Sequence, residues 1–412
     1  MSAAEVKRRS KAAPLDRVAG RSNGSEGSPL KVLHCLWNGE IGGTQRAVYQ
    51  LVREQLRDPT LAPALLFAQG HGLYWESAQT LGCPVLELRA PHGHALRSVS
   101  GAVAVMRDFD IHHFHSAEPL LMVASTRCPR ARRVYTHRGG IIDYPISRRL
   151  RYELSGVLLR HAFHGFSGNT AHGARCAAMI YRLPPERFRV TYNVFDPGLL
   201  TATRTPDSVR AELGVGPGDF VVGTVANLKP WKRTERLIDA AAAISAAEVR
   251  VLIVGDGQDR SRLEERARRL GLASSVIFAG LRESPADYLR AMDAFCLPSM
   301  GLESFGNAAV EAMALGIPTI VFSDGGGLVE HIERGKTGFV VDDQAELEKT
   351  LRALINEPEL RHRVGVGGSA AVRTRYAPAR SAEAFRALYA DALHEAAPHS
   401  GERRVAHEAR AT

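Results

Sequence analysis

The sequence predicts an α/β protein built from two doubly wound, parallel-sheet domains, and three observations carry that reading. Short apolar runs that read as buried strands alternate with stretches of helical periodicity along most of the chain, the rhythm of parallel strands joined by crossover helices. At 412 residues the chain is too long for one ordinary core. Around residues 197–219 the composition turns to Gly, Pro, Thr, Asp and Arg, which marks a hinge. The expected division is a flexible tail at 1–30, a first domain at 31–197, a hinge at 198–218, a second domain at 219–380, a helix at 381–395 and a polar tail at 396–412.

Composition narrows the function classes. With 45% hydrophobic and 24% charged residues the chain reads as an ordinary soluble globular protein rather than a fibrous or disordered one. It holds no run of about 18 apolar residues, so no membrane span is expected, and residues 1–28 carry basic residues without the apolar core of a signal peptide. The five cysteines, Cys35, Cys83, Cys128, Cys176 and Cys296, form no C-x-x-C pair and read as reduced cytoplasmic thiols, with neither a disulfide framework nor a zinc site. A formal charge of +9 favours acidic partners such as nucleotides, phosphorylated lipids or an anionic membrane face. No recognition module accompanies the basic residues, so nucleic acid is not expected.

In order along the chain, residues 31–37 (KVLHCLW) read as the first strand, and a helix is expected over 46–57. Gly42 and Gly43 lie in the turn between them, where the lack of Cβ atoms lets a ligand reach the backbone, and Thr44 is a candidate cap for the helix. Strands at 63–68, 85–88, 111–114 and 133–136 then alternate with helices at 73–81, 96–109 and 120–126. Ligands of such sheets bind beyond the carboxyl ends of the strands, which singles out His113-Phe-His115-Ser116 and Thr136-His137-Arg138-Gly139-Gly140. A basic amphipathic helix is expected over 146–163, followed by a strand at 166–169, a helix at 170–181 and Val190-Thr-Tyr-Asn193-Val-Phe-Asp196.

The second half opens with a strand at 220–225 and the turn Ala226-Asn227-Leu228-Lys229-Pro230-Trp231-Lys232-Arg233. Two lysines at a helix start are electrostatically disfavoured unless an anion joins them, which argues for a ligand. Strands at 250–254 and 276–279 lead into Gly255-Asp256-Gly257 and Gly280-Leu281-Arg282. The organising stretch is 298–322, PSMGLESFGNAAVEAMALGIPTIVF: after an apolar strand at 294–297 that Pro298 ends, it reads as a loop and a helix over 307–315. Ser304, Phe305 and Gly306 fall at the helix entrance, where unpartnered N–H groups and the positive end of the macrodipole welcome an anion or a sugar hydroxyl. Glu303 precedes that entrance and Glu311 follows eight residues later, a little over two turns up. The two carboxylates are too far apart to share a proton or a metal but suited to two ends of an elongated ligand.

The pattern Glu303-Ser-Phe-Gly-Asn-Ala-Ala-Val-Glu311 resembles the E-x7-E motif of retaining GT-B glycosyltransferases, family 4, also called glycosyl transferases group 1. Other matches fall in order: Gly42-Gly43-Thr-Gln-Arg to G-G-x-x-R, His113-Phe-His-Ser to H-x-H-S, Thr136-His137-Arg-Gly to the T-x-H-G turn, and Asn193 to Asp196 to N-G-x-D with Val194 in place of Gly. Ala226 to Lys232 correspond to the G-R-L-x-x-x-K turn, with Asn227 in place of Arg, Lys232 at the Lys, and Lys229 as the nearest substitute cation. Gly-Gly-Gly327-Leu-Val-Glu330 is similar to G-G-x-x-E. The resemblance covers roughly residues 31–395 and implies a GT-B fold, two Rossmann-like domains facing each other across a cleft, with the helix at 381–395 returning to the first.

It further implies a retaining hexosyltransferase that uses a nucleotide-diphosphate sugar as co-substrate, needs no cofactor or metal, and acts on a glycan, lipid-linked or small-molecule acceptor. Glu303 would hold hydroxyls of the transferred sugar, Glu311 the ribose, and the amides of Ser304, Phe305, Gly306 and Asn307 the sugar and diphosphate. Lys232, Lys229, Gly42 and Gly43 would serve the diphosphate, with Asn227 at the missing Arg, Gly280 and Leu281 the base, and His137 the sugar. Glu303, His137 and Lys232 are the expected catalytic residues.

A metal at His112, His113 and His115 is disfavoured because 113 and 115 share a strand face opposite 112 and no carboxylate lies at ligand spacing. Asp108-Phe-Asp110 spells D-x-D but sits at a helix-to-strand turn on the wrong edge. The basic helix fits either an ordinary surface helix or peripheral contact with the inner membrane face. A noncatalytic sugar-nucleotide-binding subunit and a nucleotide-sugar epimerase of the same fold are the alternatives to the enzyme.

Overall fold

The structure, a computed structural model, describes residues 28–40, 42–88, 95–140, 146–244, 249–282 and 284–395. The expected tails at 1–30 and 396–412 lie outside these, except for residues 28–30. The chain forms two compact units, one from residues 1–138, 142–194 and 378–412, the other from 139–141 and 195–377.

The first unit holds a seven-stranded sheet of β1 (Leu30–Leu36), β2 (Leu61–Phe67), β3 (Val85–Glu87), β4 (Ile111–Phe114), β5 (Arg132–His137), β6 (Gly165–Gly168) and β7 (Phe188–Val190), in the order β3-β2-β1-β4-β5-β6-β7. All neighbours are parallel. Its strands read as continuous apolar runs because both faces are covered. Leu33, Leu66, Phe114, Tyr135 and Phe166 pack on one side. Val32, Ile111 and Val134 meet Phe385, Leu388, Tyr389 and Ala392 on the other, so the helix Pro378–His394 belongs to this unit's core.

The second unit repeats the design with six parallel strands: β8 (Phe220–Val225), β9 (Val249–Val254), β10 (Val276–Gly280), β11 (Ala294–Leu297), β12 (Thr319–Phe322) and β13 (Phe339–Val341). The order is β10-β9-β8-β11-β12-β13. Side chains alternate between two cores, Val222, Val251 and Cys296 on one face and Val221, Leu252 and Phe295 on the other. The α/β alternation read from sequence is thus present in both halves.

At three places the local structure adds to or differs from the expectation. Thr44 does not cap the first long helix, which runs Gly43–Gln55 with Gly42 at its N-cap and no side-chain cap. Part of the segment read as a hinge is a helix, Pro206–Glu212, because the Thr205 hydroxyl accepts from Ser208 N–H at 3.2 Å and Val209 is buried against the second unit's core. The helical region expected over 345–363 is two helices, Gln344–Asn356 and Pro358–Arg375, divided where Pro358 cannot continue the first.

Candidate functional site

In both sheets the strand order reverses beside the first strand, between β1 and β4 and between β8 and β11. Crossover connections leave in opposite directions there and open a crevice at the carboxyl ends. Most of the expected site residues follow those four strands.

In the second unit, β8 delivers the turn 226–233 and β11 the turn 298–306. The first is tied to the loop after β9, with Leu228 N–H donating to Asp256 O at 2.9 Å and Asp259 N–H to Leu228 O at 3.0 Å. Gly255, at φ +127°, is required there, since a Cβ would lie 1.9 Å from the Ala226 carbonyl oxygen. Trp231 O accepts from Met300 N–H at 3.0 Å and links the two turns. The Lys232 ammonium, over the Trp231 ring at 4.4 Å, forms an ion pair with the Glu303 carboxylate, to which the Ser299 hydroxyl donates at 3.3 Å. The side chains of Lys232 and Glu303 are only 10% and 13% exposed.

That pair changes one expectation. The anion at the lysine is supplied by the chain itself, so the charge of Lys232 does not by itself demand a ligand. Asn227 and Lys229 are exposed beside it.

Gly306 caps the helix Asn307–Ala314 at φ +63°, and a Cβ there would lie 2.1 Å from Leu328 Cδ2, in the core. Phe305 points its ring into a cluster with His331 and Tyr376, at centroid distances of 4.9 and 5.2 Å, so only its backbone can meet a ligand. His331 Nε2 donates to Phe305 O at 2.5 Å, which leaves Nδ1 to accept from the Tyr376 hydroxyl. Burial holds His331 down to about 4, so the ring that braces the turn is neutral. The backbone of Glu303 is held by Gly327 N–H donating to its carbonyl at 3.0 Å, and Arg236 grips Asp324 through two hydrogen bonds of 2.9 and 2.7 Å. Ser304 and Glu311 are buried, Asn307 is half-buried, Gly280 ends β10 at φ +72°, and Leu281 is 74% exposed. Sequence reasoning missed His331, Tyr376 and Arg236, whose partners lie 26 to 88 residues away.

In the first unit, Gly42 and Gly43 open the helix after β1. His137 closes β5 with Nδ1 at 3.1 Å from the Tyr135 hydroxyl. His112 faces Ser125 and the Met106 carbonyl, while His113 and His115 join His34 on the other side, their ring nitrogens within 4.8 Å. Arg138 sets the direction of the bonds among them. Its Nε can only donate, at 3.1 Å to His115 Nδ1, so His115 carries its proton on Nε2 and donates to His34 Nδ1 at 2.9 Å. His34 Nε2 then donates to Gln55 Oε1 at 2.7 Å, and Gln55 Nε2 to the Tyr389 hydroxyl at 3.0 Å. Tyr389 donates to His113 Nδ1 at 2.9 Å, and His113 Nε2 to Thr136 Oγ1 at 2.7 Å.

Each neutral ring therefore spends its one lone pair inside the protein. A metal at these three histidines would have to break those bonds. Burial brings His34 to about 4 and His113 and His115 well below their ordinary value. Asp110, of the D-x-D sequence, accepts from Lys31 N–H at 2.9 Å at the opposite edge of the sheet.

Residues 207–369, within the second unit, match the family described as Glycosyl transferases group 1. That match takes in most of residues 195–377 of the second unit. The chain is 36% identical over 187 residues to D-inositol 3-phosphate glycosyltransferase of Rhodococcus erythropolis, covering 42% of this chain and 41% of that protein. It is 34% identical over 246 residues to the Nocardia farcinica protein of the same name, covering 55% and 52%. The matched regions thus span about half the length of these relatives. Among solved structures, Anabaena HepE in complex with UDP superposes with a TM-score of 0.77 at 23% identity, covering 88% of this chain and all of that one. The fold is GT-B. Lys232, Glu303 and Glu311, in the turns and helix just described, lie within the matched residues.

Proposed function

We propose that the chain is a retaining glycosyltransferase that moves a hexose-type sugar from a nucleotide-diphosphate sugar to a hydroxyl of a glycan, lipid-linked or small-molecule acceptor. The observation that carries the reading is the Lys232–Glu303 pair, drawn from the two strands that flank the switch point of the second unit. HepE was solved with UDP and with UDP-glucose, which supports a donor of that kind.

Lys232, Lys229 and the amides at the Gly306 helix entrance supply positive potential where the leaving diphosphate gains charge, so the reading requires no metal. Glu303 orients the sugar through charge-assisted hydrogen bonds worth about 1.5 to 3 kcal/mol. Glu311 is assigned to the ribose, the backbone at Gly280 and Leu281 to the base, and His137 to the transferred sugar. The first unit is assigned the acceptor. Peripheral membrane contact rests on the basic helix Ile146–Ala162, which leaves Leu154 and Val157 exposed. No helix among the described residues is long and apolar enough to cross a membrane.

The test is saturation-transfer NMR of the purified chain with UDP-, GDP-, ADP- and dTDP-sugars in EDTA, followed by donor turnover with the donor that binds. Glu311→Ala is expected to weaken the contact, and Glu303→Gln to abolish turnover. Full turnover by Glu303→Gln would overturn the assignment, whereas donor contact without turnover under any acceptor would favour a noncatalytic binding subunit.

A further inference from the structure

We propose that the acceptor carries an anionic group, a phosphate or a carboxylate, received in the first unit by Arg138 and Ser116. The word acceptor rests on the glycosyltransferase reading; the anion site does not.

Arg138 follows the last residue of β5. Two of its nitrogens are committed, Nε to His115 and Nη1 to Asn193 Oδ1 at 2.6 Å, while Nη2 is shielded from solvent and has no hydrogen-bond partner. A guanidinium stays charged in a protein. Among the described residues no carboxylate pairs with it; the charged neighbours that influence it include no Asp or Glu. A shielded cation with an unused N–H and no counter-ion among the described residues is costly unless an anion completes it.

The second observation comes from the neighbouring strand. Ser116 lies two residues beyond the end of β4, and its hydroxyl is likewise shielded and without a partner. Strands β4 and β5 are neighbours in the sheet, paired up to Phe114 with Tyr135, so Ser116 and Arg138 leave the same edge from adjacent strands. Two unused donors, one of them charged, thus stand at the carboxyl edge of adjacent strands, where ligands of doubly wound sheets bind. What satisfies both is a group that only accepts and bears negative charge.

Arg138 is also held in place. The His115 ring it touches is fixed through His34, Gln55 and Tyr389, so the guanidinium is oriented before any ligand arrives. A residue that merely anchored that network would need only its Nε and Nη1 bonds. That role gives no use to Nη2 or to Ser116 Oγ, the two donors left over for a ligand.

The full chain is titrated with inorganic phosphate and, separately, acetate at constant ionic strength set by chloride, read by NMR shifts and melting temperature. Saturable binding of one of these by the wild type is expected. Arg138→Met should weaken it at least tenfold, Ser116→Ala several-fold with an unchanged melting temperature, and Arg138→Lys by an intermediate factor. The response to phosphate rather than acetate, or the reverse, tells which anion the site takes. The same variants are titrated with UDP, GDP, ADP and dTDP, and whichever binds the wild type should bind Ser116→Ala and Arg138→Lys equally well.

Equal anion binding by wild type, Ser116→Ala and Arg138→Lys overturns the proposal. So does a tenfold loss of nucleotide affinity in those variants, which would assign the cation to the donor's diphosphate. Failure of every nucleotide to bind the wild type, with anion binding intact, would sink the donor reading and leave the anion site standing.

Discussion

Breaking the Lys232–Glu303 pair from either side should cost the second unit far more than removing both charges together. Each side chain is close to nine-tenths buried, so Glu303→Gln leaves an ammonium with only the Trp231 ring beside it, and Lys232→Met a carboxylate with only the Ser299 hydroxyl. Removing one member of a buried pair costs about 3 to 5 kcal/mol. The remaining exposure and the Ser299 hydroxyl place each single variant near the lower end, about 3 kcal/mol. The double variant replaces the pair by neutral groups of similar size and should recover at least about 1.5 kcal/mol of the summed cost. Urea unfolding resolves this: with a slope near 2 kcal/mol/M, each single substitution moves the midpoint of the second unit by about 1.5 M. Ligand binding supplies the other half. Freed from Glu303, Lys232 should bind a sugar-free nucleoside diphosphate several-fold more tightly in Glu303→Gln, while the added affinity contributed by the donor's sugar disappears. Additive single-variant costs, or a diphosphate affinity indifferent to Glu303, would refute the idea that the pair is poised to divide between phosphate and sugar.

Three further outcomes follow from the geometry. Gly306→Ala combines a left-handed residue, about 1 to 2 kcal/mol, with displacement of core Leu328, about 1 to 3 kcal/mol, so melting should drop and nucleotide affinity with it in the same variant. His34 and His331 sit near 4 when folded against an ordinary 6.5, so between those values the unfolded chain takes up protons that the folded chain refuses. Stability should be complete above pH 6.5 and fall as the pH drops through 4, each ring contributing at most about 1.4 kcal/mol per pH unit, as urea midpoints across that range will report. Tyr389→Phe strands Gln55 Nε2 and His113 Nδ1 in a buried site at about 1 to 3 kcal/mol each, and should lower the first unit's unfolding midpoint, while Leu393→Ala, on the exposed side of the same helix, should not.

Local signals carried much of the fold. The strands Phe220–Val225 and Ala294–Leu297 fall where the apolar runs placed them, because a strand buried on both faces is largely apolar and a turn must end it, and Ile111–Phe114 keeps its place although His112 and His113 are buried in it on hydrogen bonds. Thr205-Pro206 carried a helix start that the surrounding Gly and Pro content obscured. At the candidate site the strand-end turns were legible, but pairings across the sheet were not. Lys232 and Glu303 are 71 residues apart, and His113 and Tyr389 are 276 apart. No periodicity links such positions; only closure of the sheet brings them together. His137 drew attention through its motif, while the unmatched Arg138 beside it becomes visible only once its neighbours are known.

The helix Pro378–His394 imposes an order on synthesis. The ribosome delivers residues 195–377 before it delivers Tyr389, so the second unit has its whole chain while the first still lacks Phe385, Leu388 and Ala392 against β1, β4 and β5. At roughly 5 to 20 residues per second, nearly 200 residues after Val194 leave the nascent first sheet with one apolar face uncovered, and with His34, His113 and Gln55 still short of the hydroxyl that joins them, for about 10 to 40 seconds. The half of the protein that begins first is finished last, and that interval is when a chaperone would find it.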